Sequence, residues 1–276
     1  IGSLHNTGDF PECYATIRIT DGEHNNEKIE EHPLFLRHTN RFGFTKEPVP
    51  GTALNSLARL TEGNARIAVF EHRSAIREIA STVVKASEVR FQTQEVHEWL
   101  GESLRFSQET AKKGDGLDVR TLDLPPGGKH FLRFISDWKH MKALNKIGIY
   151  HLLARIDSRP VGQAPAVVSF IAPSDPRSAL DSGRLLTRAW TYLNSLGLAV
   201  HPYYVVSDQL ERLSKNRAPD QLNGQVEALK EGCEKLFEFI PGETLHMLLR
   251  IGYPTRKPPP SLRLPLERVF TDLTTQ

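Results

Sequence analysis

The chain has 276 residues, of which 39% are hydrophobic, so it can bury a substantial core as one large domain or two small ones. Its 35 Lys and Arg against 33 Asp and Glu leave a net charge of +2, which argues against a general nucleic-acid-binding or membrane-surface protein. Any anion-binding site must therefore be local.

The cysteines and histidines argue against a disulfide-stabilised protein and against a metal-binding protein. Cys13 and Cys233 lie far apart without Cys-x-x-Cys spacing, and the eleven histidines show no metal-ligand spacing, so neither a disulfide framework nor a metal site is predicted. No apolar run approaches the roughly 20 residues of a membrane span, so no membrane association and a reducing cytoplasm are expected. The chain starts at Ile1 without a methionine, which favours a piece of something longer.

The first half of the chain alternates between strand and helix patterns. Residues 14–20 alternate like a strand, and a helix is predicted to begin at Pro33. A helix carrying Leu54, Leu57 and Leu60 is expected to end at Gly63. A strand at 65–72 and amphipathic helices at 74–91 and 93–106 follow.

The second half repeats this alternation after a segment that is hard to interpret. Residues 107–160 are predicted to be an insertion around one helix, "FISDWKHMKAL". Beyond it, strands are predicted at 165–173, 198–206 and 244–254, with helices at 175–197 and 225–240. This order indicates an α+β or α/β fold around one sheet.

The run "RHTNR" at residues 37–41 concentrates hydrogen-bond donors that suit an anion. Arginine binds phosphate or an electron-rich ring oxygen through a planar fork that lysine lacks. By residue type alone, a solvated basic turn is the commoner explanation of such a run. The neighbouring motifs decide how it is interpreted.

Three motifs occur in the order of one known family. "RHTNR" precedes "EPVP", "ALDSGRLLTRAWTYLNSLGLAVHPY" follows in the middle, and "LLRIGYPTRKPPPSLRLPLERVF" lies near the end. This pattern resembles the nitroreductase-like FMN flavoproteins over about residues 28–270, and within them the larger two-unit or ThiF-fused members. The resemblance implies an α+β fold with a mostly antiparallel sheet flanked by helices. Residues 1–27 would be a strand-like leader or the end of a preceding unit, and 28–276 the FMN-binding domain.

The resemblance also implies a cofactor site. The arginine-rich run would hold the phosphate or the pyrimidine edge of FMN, the C-terminal arm would reach the same phosphate, and the backbone of 202–204 would lie against flavin N5. The implied binding residues are Arg37, His38, Thr39, Arg41, Pro202, Tyr203, Tyr204, Lys257 and Arg263. The two tyrosines replace a commoner Gly-rich segment and are expected to narrow or block the substrate face.

The leading functional hypothesis is an FMN-dependent oxidoreductase. NAD(P)H would reduce the flavin, and a nitroaromatic, a quinone or a related small molecule would reoxidise it by ping-pong exchange. Because the flavin carries the hydride, no catalytic side chain is predicted, and no Ser-His-Asp order, HExxH, GxGxxG or P-loop is present.

Two alternatives remain open on the sequence. The chain could be a catalytically silent flavin-binding protein, or the nitroreductase-like half of a larger fused enzyme. The helix at 175–197, interpreted as apolar over much of its circumference, predicts a homodimer, or a pseudo-dimer if a fused second unit is missing.

Overall fold

The structure is a computed structural model that describes residues 37–258 and residues 264 and 267. The predicted leader at 1–27, its strand at 14–20, the helix from Pro33 and the predicted ligand Arg263 lie outside these residues. In the part that is described, no helix combines the length and the apolar character that crossing a membrane requires.

The described strands form one central sheet and one small pair. The bounds are β1 Thr61–Glu62, β2 Ala65–Phe70, β3 Leu104–Arg105, β4 Leu117–Asp118, β5 Ala166–Pro173, β6 Ala199–Tyr203 and β7 Glu243–Gly252. The central sheet has the order β1-β2-β5-β7-β6 with every neighbouring pair antiparallel, while β3 and β4 form a separate parallel pair. The predicted strands after residue 64 are therefore present in one sheet.

Helices cover both faces of this sheet. The bounds are α1 Gly51–Ala58, α2 Arg73–Gln92, α3 Gln94–Ser103, α4 Gln108–Ala111, α5 Gly128–Ile135, α6 Trp138–Asn145, α7 Ile149–Gly162, α8 Pro176–Ser195, α9 Val205–Ser214 and α10 Asn223–Leu236. Helices α1 and α8 pack on one face; α2, α9 and α10 pack on the other, with α7 against α2. The predicted α+β class with an antiparallel sheet flanked by helices is confirmed.

The central strand β5 explains why the core has two halves. Its residues are buried from Ala166 to Ala172, as expected for a strand with helices on both faces. Phe170 points toward α8 and contributes to one apolar cluster, whereas Val167 contributes to the other. The side chains of the apolar run that predicted a buried strand thus pack into the apolar clusters on both faces of the sheet.

Two helix boundaries differ from the sequence prediction. The helix expected to reach Gly63 ends at Ala58, and Gly63 instead adopts φ +53° in the turn between β1 and β2. The single helix predicted in "FISDWKHMKAL" is divided into α5 and α6, because Asp137 accepts a hydrogen bond from the Lys139 amide at 2.8 Å and begins a new helix.

Helix α8 is amphipathic rather than apolar around its circumference. Leu185 and Leu193 are fully buried in the chain's own core, whereas Ala179, Gly183 and Thr187 face outward. The apolar side chains that suggested an interface core therefore cover the sheet of the same chain. A homodimer stays a prediction, without the support that this helix was expected to give.

Two glycines on facing elements provide a matched stability test. A Cβ on Gly63 would lie 2.2 Å from Asp181 Oδ2, and the left-handed backbone there disfavours any side chain. We expect Gly63→Ala to lower the free energy of unfolding by about 1–3 kcal/mol. Gly183, inside α8, has open space, so Gly183→Ala should raise it by about 0.5–1 kcal/mol. Urea unfolding measures both; an equally stable Gly63→Ala protein would contradict the hairpin.

Candidate functional site

The run at 37–41 lies in an extended conformation along the outer edge of β6. Thr39 bridges Val200 in parallel, and the Asn40 amide donates to the Val200 carbonyl at 2.8 Å. Asn40 and Phe42 are buried, while Arg41 and Thr39 are partly exposed, which is the alternation of a strand. The donors of this run are therefore held at the edge of the sheet and not on a mobile basic turn.

Arg250 on β7 fixes the segment to the sheet. Its side chain is only 2% exposed, and its Nε donates to His201 Nδ1 at 3.0 Å. Its Nη2 donates to the carbonyls of Asn40 at 3.3 Å and of Phe42 at 2.9 Å. The guanidinium also lies over the ring of Phe44, 4.6 Å from its centroid. One buried cation thus joins β6, β7 and the extended segment.

Two guanidinium groups in this region lack an acidic counterion. Burial lowers the pKa of both Arg41 and Arg250, because it penalises the charged form. Arg41 Nη1 donates to the hydroxyl of Thr121 at 3.3 Å. Within residues 37–258, no carboxylate forms an ion pair with either guanidinium, although other arginines of the chain do form such pairs. An anion bound here would compensate both charges.

Asn40 adds an unused donor to the same region. The residue is fully buried, and its Oδ1 accepts a hydrogen bond from the Phe42 amide at 3.0 Å. Its Nδ2 has no hydrogen-bond acceptor among the residues described. Buried amide groups are rarely left without a partner, so a ligand acceptor at this position would remove a cost of about 1–3 kcal/mol.

Arg37 and His38 are positioned by α8. The guanidinium of Arg37 lies 4.7 Å from the centroid of the Trp190 ring, and Trp190 Nε1 donates to the His38 carbonyl at 3.2 Å. Trp190 is 5% exposed and packs in the apolar cluster on the α8 side of the sheet. The arginine-rich run is therefore anchored by α8 at one end and by Arg250 at the other.

The segment 202–204 lies at the junction of β6 and α9. Pro202 is in β6, Tyr203 ends it and Tyr204 immediately precedes α9. Tyr203 is 7% exposed and its hydroxyl donates to the Asp157 carbonyl at 3.3 Å, while Arg90 pairs with the Asp157 carboxylate at 3.1 Å and contacts Tyr204. Burial raises the pKa of Tyr203. The Tyr203 ring is directed into the core and does not narrow an open face.

The C-terminal arm places a different cation against the extended segment. Lys257 is exposed, but its neighbour Arg256 lies over the Phe42 ring, 3.7 Å from the centroid. Arg256 also donates to Asp123 Oδ1 at 2.9 Å. Arg256 therefore contacts the run that includes Arg41, whereas Arg263 lies outside the described residues.

Part of the chain covers this group of arginines. In the turn Val119–Thr121, Val119 and Thr121 are buried, at 4% and 7% exposed, whereas Arg120 is exposed. Thr121 accepts from Arg41, and Asp123 just beyond it accepts from Arg256. A segment from the predicted insertion at 107–160 thus reaches the candidate site.

Sequence analysis missed three residues of this arrangement, namely His201, Arg250 and Arg256. His201 directly precedes the predicted Pro202, and Arg256 precedes the predicted Lys257. Arg250 carried the clearest signal, because it is the charged residue inside the strand pattern "TLHMLLRIGYP". A charge within a buried strand must be paired, hydrogen-bonded or functional.

A separate cavity of about 330 Å³ lies between β3, α4 and α5. Its lining residues are Leu104, Arg105, Phe106, Ser107, Thr110, Lys113, Asp115 and Arg133. Arg105 is paired with Asp115 at 2.9 Å, and Lys113 and Arg133 are exposed to solvent. Since this cavity holds no uncompensated buried charge, the group around Arg41 and Arg250 is the better candidate for an anion.

Comparisons with known proteins find similarity only at the level of structure. No family model and no curated protein matches the sequence. A nitroreductase with bound FMN from Bacteroides fragilis is 11% identical, with a TM-score of 0.48 over 90% of this chain and 100% of its own. The FMN-dependent nitroreductase from Mycobacterium smegmatis, in complex with NADPH, is 14% identical, with 0.49 over 88% and 96%.

Further similar structures include iodotyrosine deiodinase bound to FMN and 3-iodo-L-tyrosine, at 17% identity and a TM-score of 0.43 over 84% of this chain and 93% of its own. Nitroreductase-like proteins recur among these structures. They are the proteins that the sequence motifs also resemble. Because these TM-scores are below 0.5 and the identities below 25%, the likeness assigns neither activity nor cofactor. The two-unit or ThiF-fused subgroup stays a prediction.

Two histidines, buried His97 and half-buried His201, predict a pH dependence of stability. Burial lowers the pKa of His97, and burial together with Arg250 and Arg41 lowers the pKa of His201 well below 6.5. Below about pH 6.5 the unfolded chain therefore binds more protons than the folded chain, and the free energy of unfolding should fall by up to about 1.4 kcal/mol per pH unit for each histidine.

Urea unfolding between pH 7.5 and 5.5 measures this slope. His201→Gln should make it shallower, because the glutamine takes up no proton on unfolding. His130→Gln, at an exposed position, is the matched control. An unchanged slope in His201→Gln would contradict a buried neutral imidazole.

Proposed function

We propose that the chain binds FMN at the edge of β6 and acts as an FMN-dependent oxidoreductase. The observation that carries the proposal is the pair of guanidinium groups of half-buried Arg41 and buried Arg250, with which no carboxylate of the described residues forms an ion pair. A ligand with negative charge and several acceptor atoms suits this pair, and the motifs of the sequence indicate a flavin nucleotide.

The residues present fit the chemistry of FMN. The site offers the guanidinium groups of Arg37 and Arg41, the Thr39 hydroxyl and the Asn40 Nδ2, which has no acceptor among the described residues; no carboxylate of those residues pairs with Arg41. Phosphate oxygens, ring carbonyls and ring nitrogens of a flavin are acceptors that such donors recognise. By resemblance, His38, the backbone of 202–204, Lys257 and Arg263 complete the proposed set.

In this proposal the chain binds and orients the cofactor, and FMN supplies hydride transfer at N5 when bound. Arg41 and Arg250 place fixed positive charge beside the site, which favours ligand states that carry more negative charge. Other parts of the proposal rest on the sequence analysis. They are NAD(P)H as electron donor, a nitroaromatic or quinone acceptor, a cytoplasmic location, and a homodimer or a pseudo-dimer with a fused unit.

A second candidate function is supported by the covering segment. Thr121 and Asp123 contact two arginines of the proposed site, so a segment of the chain lies against it. This arrangement would suit a protein that binds a flavin without exposing it to electron donors. The catalytically silent flavin-binding protein is therefore retained as the alternative.

The phosphate contacts are tested by removing single guanidinium groups. We expect Arg37→Ala, Arg41→Ala and Arg263→Ala each to weaken FMN binding by about 1.5–3 kcal/mol, or roughly 10- to 150-fold, because each removes a charge-assisted hydrogen bond. Quenching of flavin fluorescence measures the affinity. Arg59→Ala, which removes the same charge from an exposed position, is the control.

Riboflavin separates the phosphate from the ring in the same titration. Variants that lose a phosphate contact should lose affinity for FMN but not for riboflavin. If all three variants bind FMN as tightly as the unmodified chain, the proposed position of the phosphate is wrong.

The visible spectrum separates the two candidate functions. An oxidoreductase reconstituted with FMN should be yellow and should bleach when NADPH or NADH is added without oxygen, because the donor reduces the flavin. A yellow protein that bleaches with dithionite but with neither nucleotide would favour the silent alternative. A chain that retains no FMN at micromolar concentration would contradict both.

A further inference from the structure

The hydrogen bond between Arg250 and His201 fixes the protonation state of the imidazole. Arg250 Nε lies 3.0 Å from His201 Nδ1, and a guanidinium can only donate. Nδ1 must therefore accept, so it carries no proton. The single imidazole proton is then on Nε2, and the ring is neutral.

The surroundings of the ring oppose a second proton. His201 is mostly buried, its ring centroid is 4.6 Å from that of Tyr203, and no described residue accepts a hydrogen bond from Nε2. The charged and titratable groups next to the His201 ring are Arg250 on β7, Arg41 on the extended segment and Tyr203 on β6. Arg90 on α2 and Asp157 on α7 act on Tyr203, and Asp123 acts on Arg250. The two nearest cations would repel an imidazolium.

Resting on the FMN site proposed above, we propose that His201 is a further binding residue: a permanently uncharged Nε2–H donor, held in one tautomer by Arg250. Its partner would be an acceptor atom of the ligand that carries no proton, such as a ring carbonyl or an unprotonated ring nitrogen. This role is distinct from that of the arginines, because His201 donates a hydrogen bond in a fixed direction without adding positive charge to the site.

The arrangement keeps the charge of the site constant with pH. Arg41 and Arg250 stay charged and His201 stays neutral throughout the physiological range, so the affinity for an anion changes only with the ligand's own protonation. A histidine free to titrate would instead strengthen anion binding below about pH 6.5. Arg250 thus has two functions, namely holding the segment at 40–42 and preventing the protonation of His201 that would strengthen anion binding at low pH.

The state of His201 is measured on the ligand-free chain. Long-range ¹H–¹⁵N NMR of the full chain between pH 5.5 and 8.0 should show His201 as the Nε2–H tautomer without titration. In Arg250→Met the ring loses its donor and one repelling cation, so its titration should move toward the ordinary range. A titrating His201 or an Nδ1–H tautomer in the unmodified chain would overturn the proposal.

The donor role is measured by FMN binding in two variants. His201→Gln keeps an acceptor for Arg250 and an N–H donor without charge, so its FMN affinity should stay within about threefold of the unmodified chain. His201→Phe keeps a ring but neither nitrogen function, so binding should weaken about 10- to 100-fold. His130→Phe, at an exposed position, is the matched control.

The ratio of the affinities of the unmodified chain and His201→Gln decides between a neutral and a charged histidine. The ligand's own titration cancels in this ratio, which should be constant from pH 5.5 to 8.0. A ratio that rises in favour of the unmodified chain below pH 6.5 would show a cationic contact and overturn the proposal, as would undiminished FMN binding by folded His201→Phe.

Failure of the underlying function gives a different result. If the unmodified chain binds no FMN, the proposed function and the donor role of His201 are both wrong. A single non-titrating tautomer in the NMR spectra would still establish that Arg250 fixes the protonation state of His201.

Discussion

The buried guanidinium of Arg250, which forms no ion pair with a carboxylate of residues 37–258, organises the geometry of the candidate site. Moving a charged group of this size out of water costs several kcal/mol, and Arg250 recovers this through hydrogen bonds to His201 and to the carbonyls of Asn40 and Phe42, together with the face of the Phe44 ring. These bonds hold the extended segment against the edge of β6. They add to the Asn40–Val200 hydrogen bond and the Trp190–His38 hydrogen bond, which also hold the donors at 37–41 in place.

The same cation shapes the electrostatics around it. Together with Arg41 it creates positive charge in a poorly solvated region, where an anion interacts more strongly than it does in water. Several other arginines of the described residues are paired with carboxylates, as Arg66 is with Glu243. An anionic ligand bound at the edge of β6 would supply the ion-pair partner that no carboxylate of residues 37–258 gives Arg41 or Arg250.

The turn at 119–121 and Asp123 add a constraint that bears directly on the choice between the two candidate functions. Their contacts with Arg41 and Arg256 come from a segment that lies more than sixty positions along the chain from both the run at 37–41 and strand β6. Short strands and helices connect this segment to the central sheet. Asp123 and Arg256 are both largely exposed, so their ion pair contributes little to stability. Such a contact can be exchanged for one with a ligand at small cost.

The local sequence determined most of the elements and the residue types of the site. Apolar patterns predicted α2, α8 and the buried strand β5, and the donors at 37–41 together with the neighbouring motifs led to the prediction of an anion site. The tertiary structure decided what these residues do. Arg250 reaches carbonyls 208 and 210 positions away, which no local pattern specifies. Periodicity reports which face of an element is buried, but the partner of a buried charge depends on which strands become neighbours, and that is decided only when the whole sheet packs.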